Sequence, residues 1–307
     1  MIGAIDIGGS KIAGALVDDD GRVVSKDEGP AAPFRDSGSE GINRIGSLLR
    51  DCIRRAGSSI TGIGVSCTGP VDPVTGVIGN VDFLPGWRGL NLVDQLSREF
   101  LVPVAVENDA DACALAESAW GSGQGKTRFL YVTVSTGIGV GLVLDGKLYR
   151  GVDGSHPEMG HHVIESSGPL CTCGARGCWE ALAAGPAMVA WVKQQAPADS
   201  APLEDLTAAR ICELARQRDE LAVQAVKREG YYLGVGLANL VTLFTPELIA
   251  LGGGVMRSWS LFEDHCREVI RRNCVLVPFE KTGLTLASLG PDIGILGAAQ
   301  VWRHRFF

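Results

Sequence analysis

The chain opens on MIGAIDIGGSKIAGALVDDDGRVVSK, where an apolar run ends at a glycine-rich turn, a second apolar run follows, and an Asp-Gly turn leads into a third. That pattern predicts three strands joined by tight turns. RFLYVTVSTGIGVGLVLDGKLYRG, residues 128–151, repeats the same order. An internal duplication and two unrelated hairpins both account for the repeat, and pattern alone leaves both open. Between the two stretches, Ile42, Ile45, Leu48, Leu49 and Ile53 recur at helical spacing over 38–57, while ITGIGVSCTGPV reads as a strand into a glycine turn and VPVAVEN as another buried strand. After Asn108, the alanine-rich DADACALAESAW stops at Gly121, a helix with an Asn or Asp cap and a glycine stop. Asp109 therefore falls at or near a helix amino terminus.

The second half is mostly helical. GPAMVAWVKQQ, LTAARICELARQRDE and LAVQAVKREGYYLGVGLANLVTLF carry helical patterns, with a Pro/Ala/Asp loop near 196–202 separating the first two. ELIALGGG then predicts a strand, a helix follows from about Ser260 to Arg272, and TLASLGPDIGILGAAQVWRHRF gives a strand, a loop and a last helix. Strands and helices alternate, so the class is α/β. The 307 residues, 46 % of them hydrophobic, suffice for two packed domains sharing a cleft. We expect one domain over 1–118 and a second over 119–290, with the helix near 291–307 packing back on the first. No low-complexity linker interrupts the chain, which points to a hinge instead of a tether.

Charge narrows the partner. A net charge of -7 without a run of lysine or arginine leaves no electrostatic footprint for nucleic acid or an anionic membrane surface, so a small molecule is expected. No apolar run approaches spanning length, and the amino terminus lacks the basic start and cleavage site of a signal peptide. The expected location is cytoplasmic. Six of the nine cysteines (Cys52, Cys67, Cys113, Cys212, Cys266, Cys274) are scattered singly, as small core residues in a reducing compartment would be.

Three kinds of segment carry candidate chemistry. GQGKT at 123–127 fails as a Walker A loop, because Trp120 stands where its first glycine is needed and a strand follows instead of a helix. No Gly-x-Gly-x-x-Gly follows a strand either. The loops DIGGSK (6–11), STGIGVG (135–141) and LGGGV (251–255) each follow an apolar strand. Glycines there let backbone N–H groups approach an anion, and the Asp, Ser, Thr and Lys side chains add a metal contact and hydrogen bonds, which together suggest a nucleotide cleft between domains. In CTCGARGCWE (171–180), Cys171, Cys173 and Cys178 follow His161 by ten residues or more, a Cys3His set suited to a four-coordinate structural zinc. His156 and His162 compete as donors. A disulfide would not suit a reducing compartment, and a redox pair more typically reads Cys-x-x-Cys. In the third segment, Glu107 to Ala110, Asp109 has the chemistry of a base for phosphoryl transfer, where a carboxylate accepts the hydroxyl proton. A helix amino terminus favours its anionic form by roughly 0.3–1 kcal/mol. Asn108 and Asp109 acting only as caps is the competing reading.

DIGGSK, VENDAD, STGIGVG, HPEMGH, CTCGARGCWE and LGGGV, in this order and across nearly the whole chain, resemble the ROK family (repressors, open reading frames, kinases) of the actin-like ATPase superfamily, and CxCGxxGCxE is matched at every fixed position. The resemblance implies a two-domain actin-like ATPase (ribonuclease H-like) fold with a duplicated mixed sheet and an interdomain cleft. It implies an ATP-dependent hexose kinase, transferring the γ-phosphoryl group to a hydroxyl, commonly O6, and glucose is the expected sugar. Asp6 would help hold Mg2+. Gly8, Gly9, Ser10 and Lys11 would line the first phosphate loop, Thr136 and Gly137 the second, and Gly253 and Gly254 would approach the nucleoside. Asp109 becomes the base and Asn108 a sugar contact. His161 is selected to complete the structural Zn2+ site with the three cysteines, and Glu158, His161 and Glu180 are expected beside the sugar. Gly69, in the Thr68-Gly69-Pro70 loop, bears on the space around the sugar's C2 substituent, and Asp82 on its remote hydroxyls. Similar proteins are usually dimers.

The chain departs from the family pattern at Ser10, Phe83, Asp111, Ser135, Val140 and Pro157, and the Phe83 and Pro157 changes bear on which sugar is taken. An N-acetylhexosamine kinase and a sugar-sensing regulator are the alternatives. With DIGG beginning at residue 6, no room is expected for a helix-turn-helix ahead of it.

Overall fold

A computed structural model describes residues 1–81, 84–197 and 204–307. Asp82 and Phe83, and most of the loop expected near 196–202, lie outside the described residues. The chain divides into two compact units, one comprising Met1–Lys126, Gly141–Pro157 and Ser288–Phe307, the other Thr127–Val140 and Glu158–Ala287.

In the first unit, β1 (Ile2–Ile7), β2 (Lys11–Val17) and β3 (Val23–Pro30) form the meander expected from the opening pattern, and the helix α1 (Gly38–Ala56) follows. β4 (Gly62–Cys67) precedes α2 (Leu92–Phe100), β5 (Val104–Asn108) and α3 (Asp109–Trp120). The five strands run in the order β3-β2-β1-β4-β5. β1 is antiparallel to β2 and parallel to β4, which is parallel to β5. The register aligns Asp6 with Ser66 and Ser66 with Glu107, so β1, β4 and β5 end side by side. The turns beginning at Gly8, Thr68 and Asp109 therefore leave from one edge, the carboxyl ends of parallel strands, where α/β proteins gather their ligands.

Alternation along β1 separates the two faces of this sheet. Ile5 and Ile7 join Ile42, Ile45, Leu48 and Leu49 of α1 in one core. Ile2 and Ala4 meet Ala116 of α3 and Leu296, Ala298 and Trp302 near the carboxyl end of the chain in the other. The second face is built from small residues because the last helix lies close. A methyl on Gly64 would collide with the Ala298 carbonyl, and one on Gly62 with the Trp302 ring.

The repeated pattern begins with β6 (Arg128–Val134), β7 (Ile138–Leu144) and the two-residue β8 (Lys147–Leu148). α4 (Trp179–Ala183), α5 (Gly185–Gln195), α6 (Ala208–Arg216) and α7 (Glu220–Phe244) come next. β9 (Leu248–Gly252), α8 (Glu263–Asn273), β10 (Gly283–Leu286) and α9 (Ile293–Phe306) complete the chain. The helix expected from about Ser260 to Arg272 is α8, preceded by a 3-10 segment, Val255–Leu261. The second sheet has the order β10-β9-β6-β7-β8. Counted within each half, both sheets read third, second, first, fourth, fifth strand, so the repeated pattern is a duplicated mixed sheet and not a pair of unrelated hairpins.

Glu117, fully buried in α3, organises the ends of the first unit. Its carboxylate accepts the Ser122 N–H at 2.7 Å, the Ser288 N–H at 2.8 Å and the Leu289 N–H at 2.9 Å. The chain first leaves this unit after Lys126 and returns to it for the last time at Ser288, so one side chain ties down both of these segments.

Candidate active site

The first unit's share of the candidate residues lies along the strand edge set by the register. Asn108 ends β5 and caps α3, its side-chain oxygen accepting the Ala110 N–H at 2.8 Å and the Asp111 N–H at 3.4 Å. Capping is thus one of its roles. Asp109 begins the helix and is half-buried, with Oδ1 taking the Ala110 N–H at 2.8 Å. Burial, and then the charge of Asp6, raise its pKa from the ordinary 3.8 to about 6, against the Ala110 N–H and the charge of His156, which lower it. The helix amino terminus, expected to favour the anion, is outweighed. A carboxylate poised near 6 is still mostly ionised at neutral pH and has more proton affinity than a solvated one, as a base requires.

Asp6 is also pushed up by burial, and Ser66 Oγ donates to its Oδ1 at 3.0 Å. A methyl on Gly294, in the first turn of α9, would strike its carboxylate. Two carboxylates whose proton affinity is raised by burial, with the charge of Asp6 adding to the shift at Asp109, suit a divalent cation, which offsets both charges. Gly8 closes the first loop, its N–H donating to the Lys11 carbonyl at 3.0 Å, while Gly9 and Ser10 are exposed. Lys11 pairs with Glu28 at 3.2 Å. Gly69 follows β4 and precedes Pro70 through a cis bond.

Behind Asp109 lies a charge network that the linear pattern did not show. Arg150 pairs with both Glu107 and Asp111, and His156 Nδ1 stands 2.6 Å from Asp111 Oδ2. Asp111 is fully buried, so the departure from asparagine there is matched by two basic partners.

In the second unit, the remaining two glycine loops meet. The Ser135 N–H donates to the Gly137 carbonyl at 2.9 Å and leaves Thr136 exposed at the tip. Gly253 has φ +92°, and a Cβ there would run into the Val134 backbone; one on Gly254 would touch Ser135 Oγ at 3.5 Å. Gly253 therefore packs against the backbone at Val134, an approach that only glycine permits, while Gly254 lies at ordinary contact distance from Ser135.

The four expected metal donors converge. One ligand atom from each of His161, Cys171, Cys173 and Cys178 lies within 4.8 Å of every other, and Cys171 Sγ is 3.4 Å from His161 Nδ1. The competing histidines are engaged elsewhere, His156 with Asp111 and His162 through Nδ1 with the Met159 carbonyl at 2.5 Å and through Nε2 with Asn239 at 3.1 Å. The Cys171 N–H donates to the Ala175 carbonyl at 2.8 Å, and Gly174 and Gly177 take φ +92° and +73°, which folds the ten-residue motif into a tight hairpin. Three sulfurs and one imidazole nitrogen at this spacing form a Cys3His group that could hold a metal ion, a donor set of the kind zinc takes.

Glu158 is exposed, and its carbonyl accepts the His161 N–H at 3.0 Å. Glu180 sits in the first turn of α4. Its Oε1 lies 3.9 Å from His161 Nε2, and its Oε2 accepts the Ile138 N–H at 2.9 Å. That second bond was not expected from the sequence, since 42 residues separate the partners.

Paired sheets of this order, with glycine turns following the strands and a carboxylate opening the helix after the fifth, define the actin-like ATPase type of fold. The chain belongs to the ROK family, whose model matches residues 2–305. It is 32 % identical to a glucokinase of Streptomyces coelicolor over 98 % of this chain and 96 % of that protein. A xylose repressor of Bacillus spizizenii is 30 % identical over 98 % of this chain and 77 % of its own. Among solved structures, a ROK family glucokinase from Streptomyces griseus in complex with glucose and AMPPNP superposes with a TM-score of 0.83 at 32 % identity, covering 98 % of each chain.

Proposed function

We propose that this chain is an ATP-dependent sugar kinase that transfers the γ-phosphoryl group to a hexose hydroxyl, O6 of glucose, with Asp109 as the general base. The observation that carries the reading is Asp109 itself: a half-buried carboxylate at the start of α3, beside Asp6, with its pKa lifted to about 6. It accepts the sugar proton as the new P–O bond forms, while Asn108 orients the same sugar. Asp6 would hold Mg2+, which neutralises developing phosphate charge. Backbone N–H groups at 8–11 and 135–137 take the phosphates, with Lys11 and Thr136 adding side-chain contacts, and Gly253 and Gly254 admit the nucleoside. His161, Cys171, Cys173 and Cys178 would hold zinc, which orders the segments carrying Glu158 and Glu180. Those carboxylates accept hydroxyl hydrogen bonds and so fix the sugar's orientation.

The repressor relative favours a second reading, a sugar-sensing regulator that binds the same ligand without turnover. An N-acetylhexosamine kinase shares the chemistry and differs in the space near Gly69. A coupled assay of ADP release with glucose, mannose, fructose, N-acetylglucosamine and N-acetylmannosamine separates them. Glucose is expected to give the highest kcat/KM. Highest turnover with an N-acetylated sugar would move the assignment to the second kinase class, and sugar binding without ADP release to the regulator.

A further inference from the structure

Glu180 is expected to contact sugar, yet the side chain is already committed in a way that a sugar ligand does not require. Ile138 is the first residue of β7, and its N–H donates to Glu180 Oε2 at 2.9 Å. Gly137 lies directly beneath that oxygen, where a Cβ would collide with it. Oε1 points the other way, 3.9 Å from Nε2 of His161, whose Nδ1 faces Cys171 Sγ at 3.4 Å. The Gly185 N–H donates to the Ser135 carbonyl at 2.8 Å, so the same loop is held at its other end by the start of α5. A continuous line of contacts runs from the Cys3His cluster through His161 and Glu180 to the backbone at 137–138.

We propose that Glu180 is a positioning residue for the glycine loop at 135–138, a strut that transmits the order of the metal cluster to the segment that receives nucleotide phosphate. His161, held with the three cysteines on a metal ion, would keep its imidazole plane fixed and with it the place of Nε2, 3.9 Å from Oε1, as partners behind a metal ligand commonly do. Oε2 then holds the Ile138 N–H and fixes the path of the loop. Because Oε1 keeps lone-pair capacity, the same carboxylate can accept a sugar hydroxyl without releasing the loop. Glycine at 137 is demanded by this contact, since φ there is not in the left-handed region.

The nucleotide half of this proposal rests on the kinase reading, so the test has one arm that does not. Amide hydrogen exchange at Ile138 is measured in the wild type, in Glu180→Ala and in Glu180→Gln, each metal-loaded and each stripped by chelator, with a thermal melt to confirm folding. In parallel, calorimetry follows Mg·AMPPNP binding in the absence of sugar. The strut predicts that Glu180→Ala loses Ile138 protection and weakens nucleotide binding about tenfold, the scale of one hydrogen bond to a charged acceptor. Stripping the wild type produces the same two changes. Glu180→Gln, whose amide oxygen can accept the same N–H, retains most of both. Unchanged Ile138 protection in Glu180→Ala overturns the proposal, as does nucleotide affinity equal to wild type, the result expected if Glu180 serves sugar alone. If the wild type binds no nucleotide, the kinase reading and the nucleotide half of the proposal fall together, while Ile138 exchange still decides whether the strut exists.

Discussion

Replacing Asp109 with asparagine should stabilise the protein at neutral pH while removing its chemistry. The folded chain raises the Asp109 pKa from 3.8 to about 6, so the native state prefers the protonated acid. A group raised in this way contributes stability that is full below pH 3.8 and is lost as the pH climbs through 6. At roughly 1.4 kcal/mol for each tenfold change in proton affinity, complete burial would give about 3 kcal/mol. Solvent reaches part of the side chain, which brings the expectation to about 1–3 kcal/mol. Asparagine carries no charge and can still accept the Ala110 N–H. Asp109→Asn should therefore match the wild type near pH 4 and exceed it by that amount at pH 7.5, in urea denaturation without nucleotide or magnesium. The same shift predicts an acidic limb near pH 6 in the wild-type kcat/KM profile, activity falling as Asp109 is protonated. A stability difference that does not grow between pH 4 and 7.5 would refute the reasoning.

Two further perturbations probe the supports of the site. Cys173→Ser removes one of the four donors and should abolish stoichiometric zinc by mass spectrometry of the purified protein, with loss of sugar affinity; full zinc content in the variant would remove Cys173 from the cluster. Glu117→Ala leaves the N–H groups of Ser122, Ser288 and Leu289 without their acceptor and should cost roughly 3 kcal/mol or more in denaturant unfolding. A loss below about 1 kcal/mol would mean that water replaces the carboxylate there.

Most strands were legible because their apolar runs end in glycine turns, and the helices α1 and α3 because of their period and their stops. α2 was overlooked: it buries only Leu92 and Leu96, too few apolar positions to mark a period, although Asn91 caps it through the Asp94 N–H. The metal donors could be read from spacing since three of them occupy eight consecutive positions, 171–178. Long-range polar partners could not. Arg150 and His156 meet Asp111 across 39 and 45 residues, and Glu180 meets Ile138 across 42. Each is a charged or polar residue in an unremarkable local context, and only the folded chain brings it to its partner. The sequence also suggested the wrong balance at Asp109, since the helix terminus is visible in a pattern while the desolvation that outweighs it is not.

The most direct test of the central claim is a 31P NMR time course with ATP, magnesium and glucose, run with the wild type and with Asp109→Asn at equal concentration. The account predicts that glucose 6-phosphate and ADP appear with the wild type, and that the variant, still binding glucose by calorimetry, forms neither above background. Sugar phosphate formed at a comparable rate by Asp109→Asn would contradict it.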